Sequence, residues 1–305
     1  MITVIIPTYD RLDNLKILIQ RLVQYDDEFE IIIFNNDPQK KIHKSELVDA
    51  TIKREIKVVN THIHYGPDAS LLHGMQLAET EYIYLLGDSK IPHKDIFIHF
   101  YDEIKNGSFD TLVFSYKSRL DSIQILDFQT LNNDNIHIGD LFLGGSTIIR
   151  KEFFERHFST ATQLTLARSV LLTYNIMAMK SGLCKMTDRI AIREFLDKPK
   201  HYDPKLSLLE CWGQFPLVHR LEMTHTERQV IDKKIKKMER SNEKLTLIKF
   251  SLIQIFRHKR DIAYHLKFIQ KNRNMVSFSL VESSILIVLR LISGSLKVLS
   301  KCNKK

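Results

Sequence analysis

The segment Tyr82–Leu86 is a five-residue apolar run, too short for a typical helix, that ends abruptly in Gly87, Asp88, Ser89 and Lys90. A run of this kind suits a strand buried on both faces of a parallel sheet, and its carboxyl end lies on the edge where open α/β sheets bind ligands. An aspartate at that mouth can hold a divalent cation or a sugar hydroxyl; it can also be a turn residue bonding its own backbone. Two further apolar runs stop the same way, Ile2–Ile6 at Pro7, Thr8 and Tyr9, and Glu30–Phe34 at Asn35, Asn36 and Asp37. Neither Gly-x-Gly-x-x-Gly nor a Walker lysine is present, so the two common phosphate-cradling loops are excluded.

The elements that must carry these residues follow from periodicity. Leu12, Leu15, Leu18, Ile19 and Leu22 recur at helical spacing between the first two strands, and a third strand is expected at Lys57–Asn60. Gly66 and Pro67 predict a turn, followed by a helix over Ala69–Ala78. After the strand at Tyr82–Leu86, a helix is expected over Asp95–Ile104, a strand over Thr111–Tyr116, a strand after Gly144 and Gly145, and a helix over Leu164–Met179 closed by Gly182. Strand and helix in alternation predict an α/β domain with a mostly parallel central sheet flanked by helices.

The bulk numbers agree with a folded protein. The 305 residues are 44% hydrophobic and 27% charged, with a formal net charge of +9. That charge sits in the tail: from Ile231 onward 18 Lys and Arg stand against 5 Asp and Glu, leaving 27 against 31 for residues 1–230. Three cysteines, Cys184, Cys211 and Cys302, are too few and too scattered for a disulfide framework and fit a reducing compartment. With a strand beginning at Ile2 and no charged leader, the body of the chain is expected in the cytoplasm.

Four segments in order, VIIPTYDRLDNLKILIQRL, EIIIFNND, GPDASLLHGMQLAETEYIYLLGDSKIP and FLGGSTIIRKEFFE, resemble the family 2 glycosyltransferases of GT-A fold, over Ile2 to Phe158. Bacterial enzymes that build surface polysaccharides are the nearest in kind. The resemblance implies a nucleotide-diphosphate sugar as donor and an inverting transfer to an acceptor hydroxyl. It implies nucleotide contacts at Pro7, Thr8 and Tyr9 and at Asn35, Asn36 and Asp37, with Asp68 and His73 as further donor-side candidates near a helix amino terminus. Asn36 and Asp37 serve equally well as turn formers.

The family's metal-binding Asp-x-Asp reads Asp88, Ser89, Lys90 here. Either Asp88 alone takes a Mg²⁺ or Mn²⁺ carried in by the donor, or the Lys90 ammonium replaces part of that charge; a third reading is that catalysis has been lost. The base that takes the acceptor proton is the larger departure, because Gln163–Ser181 contains no acid. Asp140, ahead of the Gly144-Gly145 loop that lies beside the acceptor in the resembling enzymes, is the first choice, with Asp188, Glu194 and Asp197 behind it. Trp212 is an acceptor-side candidate or a core residue.

The expected division is a GT-A domain over 1–226 and a basic amphipathic helical region over 227–305. Within the latter, 275–305 is the most apolar part, but its longest unbroken piece, Ile285–Leu289, cannot span a bilayer. An interfacial helix drawn to anionic lipid suits an enzyme with a lipid-linked acceptor, on the inner face of the membrane; packing on the main domain or a second subunit is the alternative. Nucleic acid is not expected, since the apolar residues are mostly aliphatic and no reader motif is present. A non-catalytic nucleotide-sugar or carbohydrate-binding subunit is the competing function.

Overall fold

The computed structural model describes residues 1–25, 28–49, 51–52, 54–116, 118–163, 170–196 and 221–240. The chain opens with β1 (Ile2–Thr8), α1 (Leu12–Leu22), β2 (Glu30–Asn35), β3 (Ile56–Asn60), α2 (Gly66–Gln76) and β4 (Tyr82–Leu85). β1 pairs in parallel with β2 on one side and β4 on the other, and β2 pairs in parallel with β3. Period-two alternation decides which layer each side chain joins. Val4, Ile6, Tyr82 and Tyr84 face a layer containing α1, whereas Ile5, Ile83 and Leu85 face Leu72 and Met75 of α2. Both faces of β1 and β4 are therefore buried, which explains their unbroken apolar runs.

The second half adds β5 (Lys90–Pro92), α3 (Ile96–Lys105), β6 (Thr111–Ser115), β7 (Gln124–Ile125), α4 (Phe128–Leu131), β8 (Thr147–Arg150), α5 (Lys151–Gln163), α6 (Val170–Ser181), β9 (Cys184–Ile190), β10 (Ile192–Phe195) and α7 (His225–Arg240). The large sheet runs β3-β2-β1-β4-β8-β6-β9-β7, and β5 forms a separate two-stranded ribbon with β10. β8 is antiparallel to both β4 and β6. Because it runs backwards, its amino-terminal approach, Gly144-Gly145, meets the carboxyl end of β4. The Gly145 amide donates to the Leu85 carbonyl at 2.7 Å, and the Tyr84 hydroxyl donates to the Gly145 carbonyl at 2.9 Å.

Several expectations are corrected. Pro7 does not stop β1, which continues to Thr8; Gly66 and Pro67 are the first turn of α2 rather than a separate turn, as proline's fixed φ suits a helix start. The helix expected over 164–179 is α6, described from Val170, and it is preceded by α5, which opens at Lys151. β5, β9 and β10 escaped periodicity because they are short or half-exposed. Cys211 and Trp212 lie outside the described residues, as do Cys302 and 275–305.

The expected domain boundary between 226 and 227 falls inside the first turn of α7. A capping box starts that helix: the Glu227 amide donates to Thr224 Oγ1 at 3.3 Å and the Thr224 amide to Glu227 Oε2 at 2.6 Å. Ile231 and Ile235 then join the apolar layer that contains α6.

Gly145 adopts φ +91, and a Cβ there would lie 2.6 Å from Ile192 Cδ1 and 3.2 Å from Leu86 Cδ1. Gly145→Ala should therefore lose about 1–3 kcal/mol in denaturant titration through strain and overpacking. Gly144→Ala, whose Cβ would meet only Lys90 Nζ at 3.5 Å, should stay close to wild type; equal losses for the two variants would refute this account of the loop.

Candidate active site

Asp88 stands three residues beyond the end of β4 with only 4% of its surface exposed. Its Oδ2 accepts from Thr8 Oγ1 at 2.9 Å, and its Oδ1 accepts from Arg11 Nη1 at 2.7 Å. Thr8 is the last residue of β1 and Arg11 caps α1, so a parallel strand pair and one tight turn bring all three groups together. The turn is made by Asp10, whose φ of 51 is left-handed, a conformation aspartate tolerates; its carboxylate is paired with Lys40. Burial pushes the Asp88 carboxyl above its ordinary range. The Arg11 guanidinium, the hydrogen bonds from Thr8 and Arg11, and the nearby Lys90 pull it back without cancelling that effect.

Lys90 begins β5, held by its amide to the Gly87 carbonyl at 3.0 Å, and its Nζ donates to the Gly144 carbonyl. The ammonium thus bridges the ends of β4 and the glycine loop before β8. The β5–β10 ribbon supports this corner, with the Leu196 amide donating to the Ser89 carbonyl at 2.8 Å.

Beside this carboxylate, Asn35 at the end of β2 and the two residues after it are buried and bonded. Asn35 Nδ2 donates to Asn60 Oδ1 at 2.8 Å and to the Lys40 carbonyl at 2.6 Å. Asn36 Oδ1 accepts from the Tyr65 amide at 2.9 Å, while Asp37 Oδ1 accepts from the Gln39 amide at 2.9 Å. Each of the three thus organises a turn or a junction. Asn36 in particular fixes Tyr65, whose ring packs on His73 at 4.6 Å between centroids, and the preceding His64 meets Tyr9 at 4.9 Å. Tyr9 and Tyr65 are 49% and 38% exposed, which leaves aromatic surface at the rim. Asp68 lies in the first turn of α2, and its side chain is outside the described residues; Pro7 sits within β1 opposite Phe34.

Asp140, expected as the base, sits in the interior ahead of the glycine loop. It is fully buried, and its Oδ2 accepts from the Ser118 amide at 2.8 Å and the Ser118 hydroxyl at 2.7 Å. Its own carbonyl accepts from Ser146 Oγ at 2.6 Å. The residue therefore ties the 118 loop to the glycine loop. Asp188 carries a 3.6 Å contact to Arg189, Glu194 is exposed on β10, and Asp197 lies outside the described residues.

The donor set does not fit a resident divalent cation. Hard cations want several oxygen ligands in near-octahedral array, whereas both Asp88 oxygens are taken by protein donors and the second position is a lysine. Among the described residues no group of three His, Cys, Asp or Glu side chains converges. Asp88, expected as a possible metal ligand, is in this structure the partner of Arg11. Arg11 itself escaped sequence reading, although it left a signal: a cation at a helix amino terminus opposes the helix dipole unless an anion compensates it.

A mostly parallel sheet with one antiparallel central strand and a carboxylate gathered at its strand ends is the GT-A glycosyltransferase architecture. Residues 3–172 match the family model described as Glycosyl transferase family 2, and the chain belongs to that family. No curated protein sequence matches it. Among solved structures it is similar to S. aureus TarS 1-349 in complex with UDP-GlcNAc, at 13% identity and TM-score 0.61, covering 88% of this chain and 81% of that one. The same TarS fragment with UDP gives 12%, 0.63, 90% and 81%. Mannosyltransferase PcManGT from Pyrobaculum calidifontis, in complex with GDP-Man and Mn²⁺, gives 11%, 0.51, 88% and 85%. At these identities the likeness is one of fold.

Removing Arg11 would leave a buried carboxylate without its counter-ion. Arg11→Met should cost on the order of 3 kcal/mol near neutral pH, read by urea titration. Loss of the guanidinium raises the folded-state pKa of Asp88 further, so the deficit should grow as pH rises through that value. It should shrink toward the ordinary aspartate value of about 3.9, where the proton is held in both states. A pH-independent deficit would show that the ion pair is not its cause.

Proposed function

We propose that this glycosyltransferase moves a sugar from a nucleotide-diphosphate donor, with inversion, to a hydroxyl of a bacterial cell-surface glycan. The observation that carries the donor reading is the convergence of Thr8, Arg11, Asp88 and Lys90 at adjacent strand ends beside the exposed rings of Tyr9 and Tyr65. The similar structures, TarS in complex with UDP-GlcNAc and with UDP and PcManGT in complex with GDP-Man, support a donor of that class. Tyr9, with His64 against its edge, offers a face to the nucleobase, and His73 and Tyr65 continue that wall. The α2 amino terminus, with Asp68 in its first turn, and the cations facing Asp88 suit the diphosphate.

In an inverting transfer the acceptor oxygen bonds the anomeric carbon as the bond to the diphosphate oxygen breaks, and the acceptor proton passes to a carboxylate. The glycine loop at Gly144 and Gly145 provides a flat approach for the acceptor, since side chains there are absent and Asp140 holds the loop from beneath. Trp212 remains an acceptor-side candidate and Asp197 a candidate base, both from outside the described residues. The acceptor is proposed to be lipid-linked, reached through an interfacial helix within 275–305. Among the described residues no helix is long and apolar enough to cross a membrane.

Calorimetric titration with UDP, GDP, CDP and dTDP sugars, followed by product analysis, tests this reading; absence of binding and turnover across the panel would overturn it. Tyr9→Ala should weaken the preferred nucleotide about tenfold, since loss of one base stack costs on the order of 1–3 kcal/mol, whereas Tyr9→Phe should bind as wild type. Deleting 275–305 should move the protein from the membrane pellet to the supernatant; unchanged sedimentation would remove the membrane assignment.

A further inference from the structure

The geometry points to a donor site that works without a divalent cation, in which the Lys90 ammonium and the Arg11 guanidinium neutralise the diphosphate and Asp88 aims Arg11. This rests on the donor reading above and says which groups meet the charge.

A nucleotide-sugar diphosphate is a dianion, and its departure as a nucleoside diphosphate leaves a further negative charge to be stabilised. A hard cation held by two carboxylates is one solution, but this chain has built against it. To ligate a metal, Asp88 would have to give up a 2.7 Å contact with Arg11 and a 2.9 Å bond from Thr8, both made where only 4% of the residue is exposed. The incoming dication would then sit beside Arg11 and near Lys90, and like charges in a water-poor corner repel strongly. The existing cations are, by contrast, already placed. Arg11 extends from the amino terminus of α1, where it adds to the positive end of the helix dipole. Lys90 reaches the opposite side of the same corner, anchored on the Gly144 carbonyl.

The two cations also differ in kind. A guanidinium is a planar fork suited to two phosphate oxygens, and its aim matters; an ammonium is a compact point charge that acts from any angle. Asp88 and Thr8 supply the aim for the first, and the glycine loop sets the place of the second. Asp88 is thus a positioning residue. A lysine in the place of the second carboxylate is what such a site requires, because a carboxylate there would restore both the cation's ligand and the repulsion of the donor.

The test uses the full-length protein and nucleoside diphosphates, UDP, GDP, CDP and dTDP, titrated calorimetrically in EDTA and in excess Mn²⁺. The Kd of the preferred diphosphate should be the same in both buffers. Lys90→Met, which keeps the stem, should weaken it in EDTA by about tenfold or more while melting like wild type. Lys90→Asp should convert binding to a Mn²⁺-dependent one. Wild-type binding that disappears in EDTA and returns with Mn²⁺ would overturn the inference and leave the donor reading standing, as would a Lys90→Met protein that binds normally in EDTA. No binding of any diphosphate in either buffer would overturn the donor reading and this inference with it.

Discussion

A buried ion pair between Arg11 and Asp88 is the constraint on which the site depends. It joins the start of α1 to the loop after β4, which are 77 residues apart in the chain. Its formation needs β1 and β4 side by side and parallel, since only then do Thr8 and Asp88 leave the sheet at the same edge. Taking the pair out of water is costly, and the raised pKa of Asp88 records that the cost is not fully recovered. A fold that keeps such a pair at a strand-end crevice holds a polarised corner in readiness for a charged ligand, and it does so at the expense of stability.

The reversal of β8 between β4 and β6 has an equally direct effect. Had β8 run parallel to β4, its approach loop would have lain at the opposite edge, away from Asp88. Running antiparallel, it delivers Gly144-Gly145 to the Leu85 carbonyl and to the Lys90 ammonium. Gly145 has to be glycine because Ile192 of the β5–β10 ribbon and Leu86 close over it. One crowded contact therefore ties the ribbon, the glycine loop and the end of β4 together.

The far side of that loop is held by an unexpected element. Lys234 of α7, 3% exposed, donates to the carbonyls of Asn133 and, at 2.8 Å, Ile136, while Lys233 donates to Asn132 Oδ1 at 2.8 Å. An ammonium buried among carbonyls replaces water with fixed acceptors and pins the segment that leads to Asp140. One lysine of the basic tail, Lys234, thus serves as internal structure.

Much of the first half was readable from sequence, because β1, β2 and β4 are buried on both faces and α1 shows an apolar stripe; local periodicity reports burial directly. The polar strand ends, the lysine in place of a second aspartate and the helical start of the basic region were also visible there. What sequence could not decide was partnership. Asn36 and Asp37 read equally as turn formers or ligands, and only the bond to Tyr65 showed that Asn36 sets an aromatic wall. Only the structure shows that Asp140 accepts from Ser118 and that Arg11 faces Asp88. Burial along one element is encoded by residues three or four apart, but the identity of a side chain's partner depends on strand order and direction, which bring together residues with no local trace of each other.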